Sequence, residues 1–303
     1  MYLRVAATTD VGRVRKNNED AFVVANLDED APATVSGARR IGVGDRGMLL
    51  AVSDGMGGAN AGEVASGIVV DIVRRALAEA PPSASRRAIL TAAVERAHHA
   101  VQEAAREEKK YRGMGATLTA VFVREDTAYI AEVGDSRAYL LRGGKIKQLT
   151  KDQSLAQALI DKGALDPKNA EEMPFKNVIL QAMGRSARVK VALARLSLRA
   201  RDCLLLCSDG LTRHLSDDEI RDIVLPAQRL DVACKALVDL ANERGGADNI
   251  TVVLAGVGGT LEAARSTDRI TRTFEVLTAF EEDEEASPKP SSRRAPRSSR
   301  GRR

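Results

Sequence analysis

Five aspartates of this chain have the residue type and the placement needed for a common site. They lie where apolar runs begin or end, or in glycine turns: Asp20, Asp54, Asp135, Asp209 and Asp248. Glu19 adds a further carboxylate beside the first of them. Carboxylates that converge without a counter-charge repel one another and raise each other's pKa. Divalent cations would remove that repulsion, so the pattern favours a metal site.

The donor atoms of this set select the kind of ion. Oxygen-only ligands favour hard cations such as Mg²⁺ or Mn²⁺, whereas zinc sites are usually built from clustered His or Cys. Two such ions close together can bridge a water, lower its pKa and hold a phosphoryl group for in-line attack. Arg15, five residues before Asp20, could bind the phosphate through a bidentate guanidinium. The residues therefore point to phosphoryl chemistry.

Each aspartate also has a simpler interpretation as a turn or helix-cap residue, because Asp beside Gly is common in turns. Repetition argues against five unrelated turns. Ser53-Asp54-Gly55 and Ser208-Asp209-Gly210 each follow an apolar run, which suggests two strand ends that meet at one site. We expect the glycines to mark tight turns at which backbone can approach a ligand closely.

Hydrophobic periodicity predicts the elements that position these residues. Apolar runs predict strands, and the clearest cover residues 49–52, 118–123, 127–133, 137–141, 203–208 and 250–257. Helical spacing predicts helices over about residues 64–77, 85–110 and 230–243, and Ser216 with Glu219 predicts a capping box for a short helix. Strands and helices occur in groups, which favours antiparallel sheets with helices outside them over a doubly wound parallel sheet.

Composition and charge argue against several classes of protein. The chain has 303 residues, of which 44% are hydrophobic and 29% charged, as in a soluble globular protein. Aromatic residues make up 3% and tryptophan is absent, which argues against functions that depend on stacking bases or sugars. The net charge of +4 includes an arginine-rich run over residues 293–303, which we interpret as a solvated or partner-docking tail; no nucleic-acid partner is expected.

The sequence also predicts the compartment. Its three cysteines, Cys203, Cys207 and Cys234, have neither a disulfide pattern nor zinc-ligand spacing. The N-terminal residues lack the apolar core of a signal peptide, and no apolar run reaches the roughly 18 residues of a membrane span. We therefore expect a cytoplasmic monomer without membrane contact.

The histidines give weak signals. His98 and His99 lie in the second long helix without a metal-ligand partner one turn away, so we expect a surface or rim pair. His214 follows Asp209-Gly210 closely in sequence. We interpret it as a loop or helix-entry residue, with a proton donor as the alternative.

The motifs, taken in their order, resemble those of the metal-dependent type 2C (PPM) serine/threonine protein phosphatases in their bacterial form. The matching segments are Asp10-x-Gly12, Arg15-x-x-x-Glu19-Asp20, Ser53-Asp54-Gly55-Met56-Gly57-Gly58, Gly113-Met114-Gly115-Ala116-Thr117, Gly134-Asp135-Ser136-Arg137, Ser208-Asp209-Gly210-Leu211 and Asp248-Asn249-Ile250-Thr251. The resemblance spans residues 3 to about 258. An ordered series of this length is far more specific than any one motif.

The resemblance implies an α+β fold, a four-layer α-β-β-α sandwich. Two antiparallel sheets pack face to face in it, with helices on both outer sides. It also implies a catalytic domain over residues 1–260, with a flap over about residues 152–185. A C-terminal extension follows over residues 261–303, and its charge blocks and Ser/Pro/Arg composition predict disorder from about residue 281.

The resemblance assigns roles to the site residues. The metal ligands it implies are Glu19, Asp20, Asp54, Gly55, Asp135, Asp209 and Asp248. Asp54 would bridge two Mn²⁺ or Mg²⁺ ions, with Asp209 and Asp248 completing the first site. The Gly55 carbonyl would contact the second ion, and Glu19 with Asp20 would hold metal-bound waters. Asp135 together with Asp209 would form a weaker third site. Arg15 would bind the phosphate, which makes Arg15, Asp54 and Asp209 the implied catalytic set.

The implied reaction is hydrolysis of phosphoserine and phosphothreonine on proteins by a metal-bridged water or hydroxide, opposing a serine/threonine kinase. Met56 departs from members, mainly eukaryotic, that carry a histidine there as the proposed general acid. A thioether cannot donate a proton, so a metal-bound water is the expected acid. Two alternatives stay open. One is a phosphatase dedicated to a single regulatory partner, such as an anti-sigma-antagonist protein, and the other is a non-catalytic phosphoprotein-binding module.

Overall fold

The structure, a computed structural model, describes residues 1–33, 35, 37–57, 61–81, 83–173, 175, 178–264 and 270–280. Its strands are β1 (Tyr2–Asp10), β2 (Asp20–Asn26), β3 (Arg39–Gly42), β4 (Met48–Met56), β5 (Gly115–Ala116), β6 (Leu118–Arg124), β7 (Thr127–Val133), β8 (Arg137–Arg142), β9 (Lys145–Gln148), β10 (Ala192–Ser197), β11 (Cys203–Cys207), β12 (Ile250–Gly258) and β13 (Phe274–Thr278). Its α-helices are α1 (Ala61–Glu79), α2 (Arg86–Glu107), α3 (Leu155–Asp161), α4 (Asp209–Thr212), α5 (Asp217–Val224) and α6 (Leu230–Glu243).

The strands form two antiparallel sheets. Sheet I has the order β3-β1-β12-β11-β8-β9, and sheet II has the order β13-β10-β7-β6-β4-β2, with β5 paired to β4 beside it. Strands β2 and β4 pair so that Asp20 faces Asp54 directly. Strands β11 and β12 pair in sheet I. Asp209 follows the end of β11, and Asp248 precedes the start of β12. Each sheet therefore contributes carboxylates at one of its ends.

The sheets pack face to face, and the alternation of side chains along each strand shows why. In β4, Met48, Leu50 and Val52 lie in the core between the sheets. Leu49 and Ala51 point the other way and pack under α1 and α2. A strand buried on both faces needs an unbroken apolar run, which is what the sequence has there. In sheet I the outer face packs against α4, α5 and α6. The predicted four-layer α-β-β-α sandwich is confirmed.

One expectation about the helices is wrong. His98 is 1% exposed, and its Nδ1 accepts a hydrogen bond from the Gly184 N–H at 3.0 Å. The side chain is therefore a core residue that ties α2 to the return of the predicted flap. His99 is exposed, as expected. The pair diverges because adjacent residues on a helix point about 100° apart.

Part of the predicted C-terminal extension is ordered. Strand β13 pairs antiparallel with β10 at the edge of sheet II, and Phe274 packs against the core between the sheets. The disorder predicted from about residue 281 lies outside the described residues. Across the ranges given above, no helix is both long enough and apolar enough to cross a membrane.

Candidate metal centre

Asp20 and Asp54 lie side by side at one end of the core between the sheets. They are directly paired across β2 and β4, and they share the strand face of Val24 and Val52, which pack between the sheets. Burial raises the pKa of Asp54 well above its ordinary value and that of Asp20 to about 7. The neighbouring aspartates raise both values further. Positive charge placed near these two carboxylates would therefore stabilise their ionised forms.

Sheet I orients Asp20 from across the core. The hydroxyls of Ser208 and Thr251 each donate to Asp20 Oδ2 at 2.7 Å. The other oxygen, Oδ1, is buried and has no hydrogen-bond partner. One oxygen of Asp20 is therefore fixed by the protein, and the other is left for a ligand or a water.

Thr117 holds the backbone at Asp54. Its Oγ1 accepts a hydrogen bond from the Asp54 N–H at 2.9 Å, and its own N–H donates to the Asp54 carbonyl at 2.8 Å. The Ser53 hydroxyl donates to the Thr117 carbonyl at 2.6 Å. The glycine-rich segment 113–117 thus serves to lock the end of β4. This task cannot be read from the sequence, because the partners are 63 residues apart.

Gly55 and Gly210, which follow Asp54 and Asp209, are needed for close packing and not for a tight turn. Asp54-Gly55 continues strand β4, and Asp209-Gly210 begins helix α4. A Cβ on Gly55 would lie 2.1 Å from the Gly62 carbonyl oxygen, and one on Gly210 would lie 2.0 Å from that of Asn249. The expectation of turns is therefore wrong. Any larger residue would push apart the segments that carry the carboxylates.

A guanidinium joins Asp209 to Asp248. Arg213 Nη1 lies 2.9 Å from Asp248 Oδ2, and Arg213 Nη2 donates to Asp209 Oδ2. Arg15 Nη2 also contacts Asp248 Oδ2, at 2.8 Å. Asp209 Oδ1 is buried without a partner, and burial raises the pKa of Asp209 although Arg213 opposes that shift. Arg213 was not among the residues predicted from the sequence; its spacing of four residues from Asp209 was the available signal.

Asp135 lies in the turn between β7 and β8, next to the base of the predicted flap. Burial raises its pKa to about 8, with a further contribution from Asp209. The Gln153 side chain accepts from the Gly134 N–H at 2.8 Å, and the Gln153 N–H donates to the Gly134 carbonyl at 2.9 Å. Arg137 forms a two-pronged ion pair with Asp152, with distances of 2.8 and 2.6 Å. This side of the centre is therefore tied to the start of the predicted flap by hydrogen bonds and an ion pair.

Asn249 places Glu19. The Glu19 N–H donates to Asn249 Oδ1 at 2.8 Å, while Asn249 Nδ2 donates to the carbonyls of Val11 and Asn17 at 2.9 Å. Burial raises the pKa of Glu19 from its ordinary value. Asn249 thus fixes the segment before Asp20 against the strand that follows Asp248, a task that the Asp-Asn pair in the sequence did not by itself reveal.

The carboxylates are close enough to shift one another's pKa values, yet they do not form a closed ligand shell. Among the described residues, no three His, Cys, Asp or Glu side chains are arranged to hold a metal ion between them. The donor set itself fits a hard cation: it consists of oxygens, and two of them, on Asp20 and Asp209, are buried and unpaired.

Other side chains can be assigned more ordinary tasks. His214 Nε2 accepts a hydrogen bond from the Ala247 N–H at 3.2 Å, as expected for a loop residue. Burial raises the pKa of the Cys207 and Cys234 thiols to about 12, so neither is a thiolate nucleophile at neutral pH. Met56, at the end of β4, pairs with Gly115 and offers no proton.

Known proteins resemble this chain in sequence. It matches the profile described as Protein phosphatase 2C over residues 36–254. It is 37% identical over 257 residues to the serine/threonine protein phosphatase PstP of Mycobacterium tuberculosis, which covers 85% of this chain but 45% of PstP. It is 34% identical over 249 residues to the serine/threonine phosphatase stp of Listeria welshimeri, which covers 81% of this chain and 92% of that protein. The chain thus spans about half the length of PstP and nearly all of stp.

The fold is also similar to a solved structure. The catalytic domain of PstP in complex with two manganese ions has a TM-score of 0.70 and 36% identity to this chain. The match covers 85% of this chain and 99% of the PstP domain. The matched range of the profile includes Asp54, Asp135, Asp209 and Asp248. The chain belongs to the protein phosphatase 2C family.

Proposed function

We propose that this chain is a metal-dependent protein phosphatase that hydrolyses phosphoserine and phosphothreonine on proteins. The observation that carries the proposal is the carboxylate centre between the sheets, where Asp20 and Asp209 each keep a buried oxygen without a hydrogen-bond partner. Family membership supplies the reaction, because PstP and stp are both named as serine/threonine phosphatases. Since phosphoserine and phosphothreonine are made by kinases, the protein would oppose a serine/threonine kinase in a signalling pathway.

The residues that would hold two Mn²⁺ or Mg²⁺ ions are those of the family pattern. Asp54 would bridge the ions, Asp209 and Asp248 would complete the first site, and the Gly55 carbonyl would contact the second. When bound, the ions supply a water of lowered pKa and positive charge at the phosphoryl group.

The remaining ligands would act at the rim of this pair. Glu19 and Asp20 would hold metal-bound waters, and Asp135 with Asp209 would form a weaker third site. The positions support these tasks: Ser208 orients one oxygen of Asp20 at 2.7 Å and leaves the other unpaired. The pKa of Asp135, raised to about 8, indicates that its carboxylate is poorly compensated by the protein alone.

Arg15 is suited to bind the substrate phosphate. Its side chain is 49% exposed, so an incoming phosphate can reach the guanidinium that now contacts Asp248. In the reaction, a water oxygen bonds to phosphorus, the bond to the serine or threonine oxygen breaks, and that oxygen takes a proton. Met56 cannot donate this proton, and His214 Nε2 already accepts from Ala247. We therefore assign the proton to water in the site.

The direct test is phosphate release from phosphothreonine, phosphoserine and phosphotyrosine peptides with Mn²⁺, compared with Mg²⁺. We expect turnover of the first two, its abolition by EDTA, and its survival after thiol alkylation, because no thiol takes part in the proposed reaction. Arg15→Ala should lower kcat/KM about tenfold or more, equivalent to about 1.4 kcal/mol. Arg96→Ala, which removes an exposed arginine on α2, is the matched control and should leave kcat/KM unchanged. Activity that survives EDTA but not alkylation would refute the proposal.

The same assay separates the two alternatives. A phosphatase dedicated to one regulatory partner would release little phosphate from short peptides while acting on that folded protein. A non-catalytic phosphoprotein-binding module would bind the peptides without turnover. The carboxylates of the family pattern, Asp54, Asp209 and Asp248 among them, are all present, which favours the catalytic interpretation.

A further inference from the structure

Arg213 is a second arginine at the carboxylate centre, and its position differs from that of Arg15. It directly follows helix α4, and its N–H donates to the Asp209 carbonyl at 2.9 Å. Its guanidinium reaches back to Asp209 Oδ2 with one nitrogen and lies 2.9 Å from Asp248 Oδ2 with the other. The side chain is 23% exposed. One arginine therefore bridges the two carboxylates that the proposed function gives to the first metal ion.

A divalent ion at that site would need the same carboxylate oxygens that Arg213 binds. The guanidinium donates hydrogen bonds to Oδ2 of Asp209 and to Oδ2 of Asp248, and it places a full positive charge between the two carboxylates. Two cations in a partly buried site repel strongly because solvent screens them weakly. Without any cation, the two carboxylates would repel each other in the same way. Arg213 therefore stabilises the metal-free protein and opposes the entry of metal.

The Arg213 side chain also has a place to move. It lines a cavity of about 110 Å³, together with Asp135 and Asp209 of the centre and Gln157 on α3. Arg137, on the same cavity wall, is already bound to Asp152 by a two-pronged ion pair and so does not compete for the centre. When the oxygens of Asp209 are taken by another cation, the guanidinium of Arg213 can turn into this cavity.

Arg15 is a weaker competitor by the same criteria. Of the two bridged carboxylates it contacts Asp248 at 2.8 Å, and its side chain is 49% exposed against 23% for Arg213. Solvent weakens an exposed ion pair. The two arginines thus provide a graded comparison within one site.

We propose that Arg213 is an internal cation that competes with divalent metal ions for Asp209 and Asp248 and so sets the metal affinity of this centre. The inference rests on the proposed function, because it requires these carboxylates to bind metal. A residue that merely supported the ligands would raise metal affinity, whereas a competing cation lowers it. The sign of the effect of removing Arg213 decides between the two.

The experiment measures Mn²⁺ binding to the metal-free protein by calorimetry, together with its melting temperature. Arg213→Met keeps much of the side-chain length but removes the charge; we expect at least about tenfold tighter Mn²⁺ binding, equivalent to about 1.4 kcal/mol. The metal-free variant should also melt at a lower temperature than wild type. Arg213→Lys keeps one charge but cannot bridge both carboxylates, so its affinity should be intermediate. Arg15→Met should have a smaller effect, and Arg96→Met, on the outer surface of α2, should have none.

Each outcome bears on the inference. Equal or weaker Mn²⁺ binding by Arg213→Met, with wild type binding normally, would overturn it while leaving the proposed function intact. If Arg213→Met fails to fold without metal, Arg213→Lys must still bind Mn²⁺ more tightly than wild type, or the inference is wrong. If wild type and both variants fail to bind Mn²⁺, the proposed function fails and the inference with it.

Discussion

Strand β11 has an aspartate near each of its ends, and the two lie in opposite electrostatic environments. Asp202, just before the strand, is held by Arg142 through two hydrogen bonds of 2.7 and 2.6 Å, and by the Arg199 N–H at 2.7 Å. Both side chains of this pair are almost fully buried. Asp209, just after the strand, shares Arg213 with Asp248 and keeps one buried oxygen unpaired.

The difference lies in the balance of charge. Arg142 also donates to the Thr273 hydroxyl and the Ser197 carbonyl, so the Asp202 end is neutral and all three guanidinium nitrogens of Arg142 have hydrogen-bond partners. At the Asp209 end, buried carboxylates outnumber the guanidinium groups that reach them. A balanced buried pair contributes to the native structure, whereas an unbalanced cluster needs a cation from outside. Two aspartates that flank one strand can thus be separated into a structural residue and a functional one.

The largest expected effect on catalysis is at the unbalanced end. Asp54→Asn should lower kcat/KM by at least about 100-fold, equivalent to about 2.7 kcal/mol, because the proposed bridge between the two ions is lost. The metal-free variant should be at least as stable as wild type, since burial and neighbouring aspartates disfavour the charge that is removed. Peptide turnover and thermal unfolding without metal measure the two effects. Retention of activity within about tenfold would contradict the assignment of Asp54.

The reverse result is expected at the balanced end. Asp202→Asn should lower the free energy of unfolding by about 3–5 kcal/mol, because it leaves the Arg142 charge buried without a partner. The folded fraction should keep the kcat/KM of wild type. Urea unfolding measures the first quantity and peptide turnover the second.

A matched control for that experiment is the double variant Arg142→Met with Asp202→Leu. Replacing both charges by apolar groups should cost less than Asp202→Asn alone, because no unpaired charge remains. A double variant that is less stable than Asp202→Asn would show that the pair contributes more than charge balance.

Glu132 allows a smaller, pH-dependent test. Its side chain is buried on β7, Oε2 accepts the Lys151 N–H at 3.0 Å, and Oε1 has no partner. Burial raises its pKa well above the ordinary 4.5. The folded protein therefore holds the proton more tightly than the unfolded chain, so the contribution of Glu132 to stability is present below about pH 4.5 and is lost as the pH rises toward the folded pKa.

Glu132→Gln removes this dependence while preserving the shape of the side chain. Relative to wild type, the variant should gain up to about 1.4 kcal/mol of stability for each pH unit above about 4.5, until the folded pKa is reached. Urea unfolding at a series of pH values, in EDTA, measures the difference. A difference that is independent of pH would show that Glu132 is ionised in the folded protein.

Much of the fold follows from local patterns. The apolar run before Asp54 predicts a strand buried on both faces, and β4 is buried in this way because helices cover one side and sheet I the other. The amphipathic pattern over residues 230–243 and the Ser216–Glu219 capping box are confirmed in α6 and α5. These succeed because periodicity and capping depend on neighbours within a few residues. The prediction for His98 failed because a lone polar residue carries no signal of what packs over it.

The candidate site was predicted only in part, because only some of its residues have a local signal in the sequence. Aspartates at strand ends can be read from the sequence, and the resemblance gave their order and roles. The groups that hold them cannot be read in this way: Thr117 lies 63 residues from Asp54, and Ser208 lies 188 residues from Asp20. These partners come together only when the chain folds and the sheets pack, and a single sequence does not indicate which distant residues will then be in contact.

The sequence by itself therefore determined which residues are available: oxygen ligands at strand ends, one arginine near the first of them, and no thiol or histidine pattern that competes with this chemistry. Only the tertiary structure decided how charge is distributed among them. It paired Asp202 with Arg142, left oxygens of Asp20 and Asp209 unpaired, and placed Arg213 between Asp209 and Asp248. The physical reason is that residue type sets the charge a side chain can carry, whereas burial and neighbours set the free energy of carrying it.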